Sequence, residues 1–368
     1  MSALRQVRVL HVIDSFDLGG AQTALLNLVR AMDRTRFTAE VAAMHGRGVF
    51  WENFAALGIP LHSLSPAKWL PLYVPRLMQL LAQRRFDLVH CHLFGANWIA
   101  KPVAAAMGVP VRVNHDQCND RLRHDSAAAR WIDTATNRLS THVCAVSRST
   151  RDFLIEQEHL PAARVSVVYN GVDTAHFAPV PRATPPKAGA LIAGVGRLHP
   201  QKDFMLFLEV AAALAKEDSS VRFLIAGTGP EAGALRDQAA ALGIADRVTF
   251  AGHVADMRAV YRQADVLLMT SRYEGTPLTV LEAMASGVPV VASRLDGIAE
   301  VIADGADGFL VTPGARDEFV ISVAAVLADG DLRGRVTKAA REKVVAHFSA
   351  KAMTAQVEAI YTECLAAR

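Results

Sequence analysis

Short apolar runs alternate with amphipathic stretches along this 368-residue chain, and the alternation occurs twice. Val7–Ile13 reads as a buried strand and residues 21–32 as an amphipathic helix. Apolar runs at 39–44, 87–92, 111–115, 142–146 and 165–169 follow, with helical patterns between them. Parallel neighbours in a sheet need a crossover connection, so this βαβ pattern predicts a parallel sheet with helices on both faces. The pattern then breaks at 178–187, where Pro179, Pro181, Pro185 and Pro186 stop either element from propagating. A second series begins with Leu191–Val195 and continues at 221–226, 248–251, 266–270, 288–292 and Phe309–Val311. The expected fold is α/β, with two doubly wound domains: 1–177, a linker at 178–189, and 190–349. A helical tail, 350–368, follows. Ligand sites in such sheets form at loops leaving the carboxyl ends of strands.

Hydrophobic residues make up 51% and charged residues 20%, which excludes a disordered chain. A formal charge of +3 gives no global case for nucleic-acid binding. Cys91, Cys118, Cys144 and Cys364 form no C-x-x-C pair and no metal-ligand spacing, which fits a reducing compartment. No apolar run is long enough for a membrane span, and Val7–Ile13 is too short for a signal peptide. A cytoplasmic location is expected.

Chemistry concentrates in the second series. Seven residues separate Glu274 from Glu282 in EGTPLTVLEAMASG. Thr276 suits a helix N-cap, Pro277 the first helical position, and Gly287 the residue past the end. Glu282 would lie about 9 Å along that helix. The helix N-terminus offers free amides and partial positive charge to a phosphate, leaving one carboxylate near a sugar and the other near a ribose. After the first strand of this half comes Gly194-Val195-Gly196-Arg197-Leu198-His199-Pro200-Gln201-Lys202. Glycines there let backbone approach a ligand, and Arg197 and Lys202 could clamp a diphosphate. Taken alone, the stretch also reads as a strand-to-helix turn with solvated bases.

The run EGTPLTVLEAMASGVPVV resembles the Glu–seven residues–Glu signature of the retaining glycosyltransferases of family four, which have the GT-B fold. The Gly-Arg-Leu…Lys stretch, the Gly19-Gly20 loop, Gly227-Thr228-Gly229, Gly252-His253-Val254 and the Asn170-Gly171-Val172-Asp173 turn resemble that family's remaining motifs, in its order. The resemblance implies two Rossmann-like domains facing across a cleft, acceptor domain first, with the last helix (350–365) crossing back to the first domain. It implies transfer of a hexose or N-acetylhexosamine from a nucleotide sugar, with retention. A UDP-sugar is favoured over GDP-mannose as donor. A glycan or lipid-linked molecule would be the acceptor, and cell-surface polysaccharide or glycolipid synthesis the setting. No cofactor and no metal are implied.

Residue by residue, the resemblance gives catalytic roles to His115, Glu274, Arg197 and Lys202. Donor binding falls to Gly19, Gly20, Gly196, Gly229, His253, Val254, Gly275, Thr276, Pro277, Leu278 and Glu282. Gly19-Gly20 is not a dinucleotide fingerprint, because no G-x-G-x-x-G follows the first strand. His115 ends an apolar run, where a side chain is expected to open into the cleft. His90 and His92 end a neighbouring run and read either as acceptor groups, with Phe94 and Asn97, or as structural histidines. Acceptor loops are expected near 16–20, 45–50, 94–97 and 116–125. Residues 68–86 mix bases with aromatics. They read either as peripheral contact with the inner membrane face or as an ordinary amphipathic helix. The alternatives in function are a nucleotide-sugar binding protein without transfer and an epimerase on the same fold.

Overall fold

The computed structural model describes residues 5–67, 72–117, 126–180 and 189–367. Most of the proline-rich linker (181–188), part of the membrane-contact candidate (68–71), and most of the last acceptor loop (118–125, with Cys118) lie outside the described residues.

The chain divides into two compact units. One comprises Met1–Gly171 with Ala350–Arg368, the other Val172–Ser349. The division falls at Gly171/Val172 and not after residue 177. Val172 donates its amide to Phe348 O at 2.9 Å, and the Arg341 guanidinium donates to Thr174 O (3.1 Å) and Phe177 O (3.3 Å). These bonds hold residues 172–177 within the second unit.

The first unit is built on seven parallel strands: β1 (Val7–Ile13), β2 (Phe37–Ala43), β3 (Leu61–Ser63), β4 (Leu88–His92), β5 (Val111–Asp116), β6 (His142–Ala145) and β7 (Val165–Val167). Their spatial order is β3-β2-β1-β4-β5-β6-β7. Successive side chains alternate faces. Leu10 and Val12 pack with Leu77, Leu81 and Ala100 of the helices Tyr73–Arg84 and Phe94–Ala106. Val9 and Ile13 point to the other face, where the helix Gly20–Ala31 supplies Leu25, Leu28 and Val29. The terminal helix Ala350–Ala366 completes that face with Met353, Val357, Ile360 and Tyr361. Each such side chain contributes roughly 1.5–3 kcal/mol through burial. Glu358 on the same helix accepts the Asp33 amide at 2.7 Å.

The second unit has six parallel strands: β8 (Leu191–Val195), β9 (Arg222–Ala226), β10 (Val248–Gly252), β11 (Val266–Met269), β12 (Val290–Ser293) and β13 (Phe309–Val311). They lie in the order β10-β9-β8-β11-β12-β13. Its core joins Ile192, Phe207, Phe223, Val266 and Val291 to Phe319 of the helix Arg316–Ala328. In each unit the order reverses next to the first strand, between β1 and β4 and between β8 and β11. Loops leaving the two strands at such a point diverge to opposite sides and open a crevice.

Candidate active site

The β8 and β11 loops meet at the reversal of the second sheet. There Lys202 Nζ donates to Glu274 Oε1 at 2.5 Å, with the two side chains only 17% and 7% exposed. The flanking chain fixes both. Thr270 Oγ1 donates to the carbonyls of Asp203 (2.9 Å) and Lys202 (3.2 Å), and Gln201 Nε2 donates to Tyr273 O (3.0 Å). The Arg272 amide donates to Gln201 O (2.8 Å), and its guanidinium pairs with Asp203 at 2.8 Å. Arg197, on the same loop, is exposed. Its guanidinium has no hydrogen-bond or ion-pair partner among the described residues. It is a free fork for an anion, on the loop that also carries the half-buried Lys202 ammonium.

Glycine is required here by close approach. Gly227 has φ +152°, and a Cβ on it would lie 1.8 Å from Gly196 O. A Cβ on Gly229 would lie 2.2 Å from Leu198 O, and the Gly227 amide donates to Gly252 O at 2.8 Å. The loops after β8, β9 and β10 are thus in backbone contact. His253 follows Gly252 and is exposed; Val254 is half-buried.

The helix carrying the second glutamate spans Leu278–Ala285. Its N-cap is Pro277 and not Thr276, and no side chain caps it. At ψ 119° Pro277 is still extended, and its carbonyl accepts the amides of Val280 (3.2 Å) and Leu281 (3.4 Å). The helix therefore begins one residue later than the sequence suggested, and its first amides have no intrahelical partner. Gly275 belongs to the preceding loop, whose carbonyl lies against Gly297 so closely that a Cβ there would be 1.9 Å away. Gly287, φ +74°, ends the helix. Its amide bonds Met284 O and that of Val288 bonds Ala283 O, a Schellman closure. Glu282 is buried, and its Oε2 accepts the Tyr261 hydroxyl at 2.8 Å. Burial pushes its carboxyl up to about 7, and the Tyr261 bond opposes the rise.

The remaining candidates belong to the first unit. Gly19 is the N-cap of Gly20–Ala31, and a Cβ on Gly20 would meet nothing within 4 Å. At the β1/β4 reversal the Asp14 carboxylate accepts the amides of Ala96 (2.6 Å) and Gly95 (3.3 Å), joining the β1 loop to the start of Phe94–Ala106. Phe94 is half-buried, edge-on to Trp98, and Asn97 is buried with its Oδ1 unpartnered. His115 departs from the expectation of an open side chain, and His90 and His92 take the structural alternative. His90, His92 and His115 are 0%, 1% and 1% exposed; His90 and His92 lie ring against ring with His11 and with His115, and Tyr361 of the terminal helix covers His90. Burial lowers the His115 pKa to about 4, against a weak backbone contact at Val168 that raises it, so the ring is neutral. His90 and His92 are interior groups and not an open acceptor rim.

Lys202, Glu274 and the glycine loops are therefore brought together. Asp14, Tyr261, His11 and Tyr361 were not foreseen. The partners of all four are distant in sequence, and only the period-two burial of His11 beside Val9 and Ile13 left a local trace.

Residues 18–176 match the model of glycosyltransferase family 4, and residues 181–343 that of glycosyl transferases group 1. A putative glycosyltransferase of Bacillus subtilis, EpsF, is 30% identical over 81% of this chain and 81% of its own. The chain belongs to the group 1 glycosyltransferases. This glycosyltransferase is also similar to the UDP-Gal:alpha-D-GlcNAc-diphosphoundecaprenol alpha-1,3-galactosyltransferase of Escherichia coli (25% identity, 78% of each chain). Anabaena HepE, solved in complex with UDP-glucose, superposes with a TM-score of 0.85 at 22% identity, covering 97% of this chain and all of that one. That likeness shows the GT-B fold. Among the described residues no helix is long and apolar enough to cross a membrane.

Proposed function

We propose that this glycosyltransferase is a retaining enzyme that uses a UDP-hexose or UDP-N-acetylhexosamine and needs no metal for transfer, with GDP-mannose the second choice of donor. A glycan or lipid-linked molecule is the acceptor, in surface polysaccharide or glycolipid synthesis at the inner membrane face. The observation that carries this reading is the Lys202–Glu274 pair at the β8/β11 reversal, with Arg197 exposed on the same β8 loop as Lys202. Support for the donor and acceptor classes comes from the names of the Escherichia coli and Anabaena proteins.

Arg197 and Lys202 would neutralise the diphosphate, whose charge grows as the glycosidic bond breaks. The amides at Leu278 extend the same positive field. Glu274 would hold the sugar hydroxyls, held in place by Lys202. Glu282 would accept the ribose hydroxyls, and the backbone at His253 and Val254 would border the base. Gly19, Gly20 and His115 enter the proposal through the family resemblance alone. In the retaining step the bond from the anomeric carbon to the phosphate oxygen breaks. The acceptor oxygen bonds to the same face, and its proton passes to the leaving phosphate. The products are a glycoside and a nucleoside diphosphate.

Two measurements test this. In a thermal-shift screen with chelator present, UDP or a UDP-sugar should raise the melting temperature, because a ligand bound only to the native state must stabilise it. No shift with UDP, GDP or ADP, or with their common sugars, would remove the donor assignment. Glu274→Ala and Lys202→Ala should each fold and lose roughly 100-fold or more in transfer. Near-normal turnover in both would sink the site.

A further inference from the structure

The first unit contains four buried imidazoles that the proposed transfer leaves largely unused. His11 lies on β1, His90 and His92 on β4, and His115 on β5, and register pairs His11 with His90 and His92 with His115. Alternation puts all four on the face that also carries Val9 and Ile13, beneath the helix Ala350–Ala366. Among the three on β1 and β4, His11 Nε2, His90 Nε2 and His92 Nδ1 have no hydrogen-bond partner.

One nitrogen from each of His11, His90 and His92 lies within 4.8 Å of one from each of the others. His11 Nδ1 and His92 Nε2 are 3.2 Å apart. Two nitrogens on one tetrahedral zinc ion, each about 2.0–2.1 Å from it, lie about 3.3 Å apart. Ring centroids on such an ion lie about 5 Å apart, against 5.3 Å for His11–His90, 5.4 Å for His11–His92 and 4.1 Å for His90–His92, so the last two rings must part by about 1 Å to share it. His90 Nδ1 is 2.5 Å from the Tyr361 hydroxyl. With the proton on Nδ1 and Tyr361 accepting it, His90 Nε2 carries the lone pair, which is how an outer partner fixes the tautomer of a ligand histidine.

We propose that His11, His90 and His92 bind one zinc-class divalent cation inside the first unit, with Tyr361 orienting His90. Imidazole ligands suit zinc and its transition-metal neighbours and not magnesium or calcium. His115, with centroids 5.6 and 5.7 Å from those of His90 and His92, is a fourth imidazole beside the same shell. The ion would tie β1 and β4 to the terminal helix through His90 and Tyr361. It is a structural ion, separate from the diphosphate site of the second unit.

The test uses untagged full-length protein, stripped with chelator and titrated with Co²⁺. The expected result is about one ion per chain, with the strong visible absorption of a four-coordinate nitrogen site and a melting temperature that rises with free metal. His11→Gln and His92→Gln should weaken binding by roughly tenfold or more, while His347→Ala, an exposed imidazole in the second unit, should not. A folded wild type that holds no stoichiometric ion overturns the proposal, as does equal binding by His92→Gln. Should the glutamine variants fail to fold, X-ray absorption of the zinc-loaded wild type decides. A shell of three or more imidazole nitrogens supports the site, and an all-oxygen shell overturns it.

Discussion

Burial raises the Glu282 carboxyl to about 7, and the Tyr261 hydroxyl limits the rise by stabilising the carboxylate. A raised acid binds its proton more tightly in the fold than in the unfolded chain. Its contribution to stability is therefore full below the ordinary carboxyl value of 4.5 and is lost as pH climbs through about 7. Glu282→Gln removes this dependence. Denaturant unfolding at about pH 5 and about pH 8 should show the variant gaining on the wild type at the higher pH, by on the order of 3 kcal/mol. Parallel curves would contradict the burial argument. If the ionised carboxylate receives the ribose, kcat/KM for donor rises with pH through about 7. Tyr261→Phe, having lost the opposing bond, should move that limb to higher pH. At this scale the sequence was half legible. Spacing put Glu282 inside a helix beyond a loop carboxylate, but nothing local to it indicated Tyr261 on the helix Arg258–Tyr261. For His90 and His92 the sequence left an acceptor role and a structural one open, because Tyr361, the group that covers His90, arrives from the far end of the chain.

At the scale of elements, glycine substitutions separate folding from function. In Gly227→Ala the new methyl would sit on the Gly196 carbonyl, and the backbone would be strained at φ +152°. Loops after β8 and β9 would have to part, so destabilisation of roughly 3 kcal/mol or more is expected by thermal unfolding, with loss of transfer. Gly20→Ala is the contrasting case. Its Cβ meets open space at the start of a helix, so stability should hold or rise by up to about 1 kcal/mol. A large loss of transfer in a folded Gly20→Ala protein would therefore report a reacting-group role for the Gly19-Gly20 loop. Unchanged transfer would leave that loop a helix start only. Elements with long apolar runs were plain in the sequence because strands buried on both faces must be apolar throughout. β3 was not, since three half-buried residues at the sheet edge carry no such run. The start of Leu278–Ala285 moved by one residue because Pro277 fits the extended cap as well as the first helical turn.

At the scale of the whole molecule, two rounds of alternation foretold two doubly wound sheets, and the proline-rich stretch was the natural place to cut. The structure divides the chain earlier because the contacts of residues 172–177 run to Phe348 and Arg341. The second unit is consequently one continuous segment, inserted between the two parts of the first. Its core is its own, and Lys202, Glu274, Arg197 and Glu282 all lie within it. A segment of ordinary domain size with a complete core should fold alone. The isolated fragment 172–349 should thus unfold cooperatively, and UDP should raise its melting temperature in chelator, as is expected for the full chain. The first unit lacks this independence. Ending the chain at Ser349 removes Met353, Val357, Ile360 and Tyr361 from a shared core, together with the Gly171 amide contact to Met353 Sδ at 3.2 Å and the Glu358 bond to Asp33. Four large buried side chains at roughly 1.5–3 kcal/mol each match the 5–15 kcal/mol that keeps a typical domain folded. The truncated chain 1–349 should therefore show only the melting transition of the second unit, still shifted by UDP. A truncated chain in which both units melt as in the full protein would show that the terminal helix is not needed to close the first sheet.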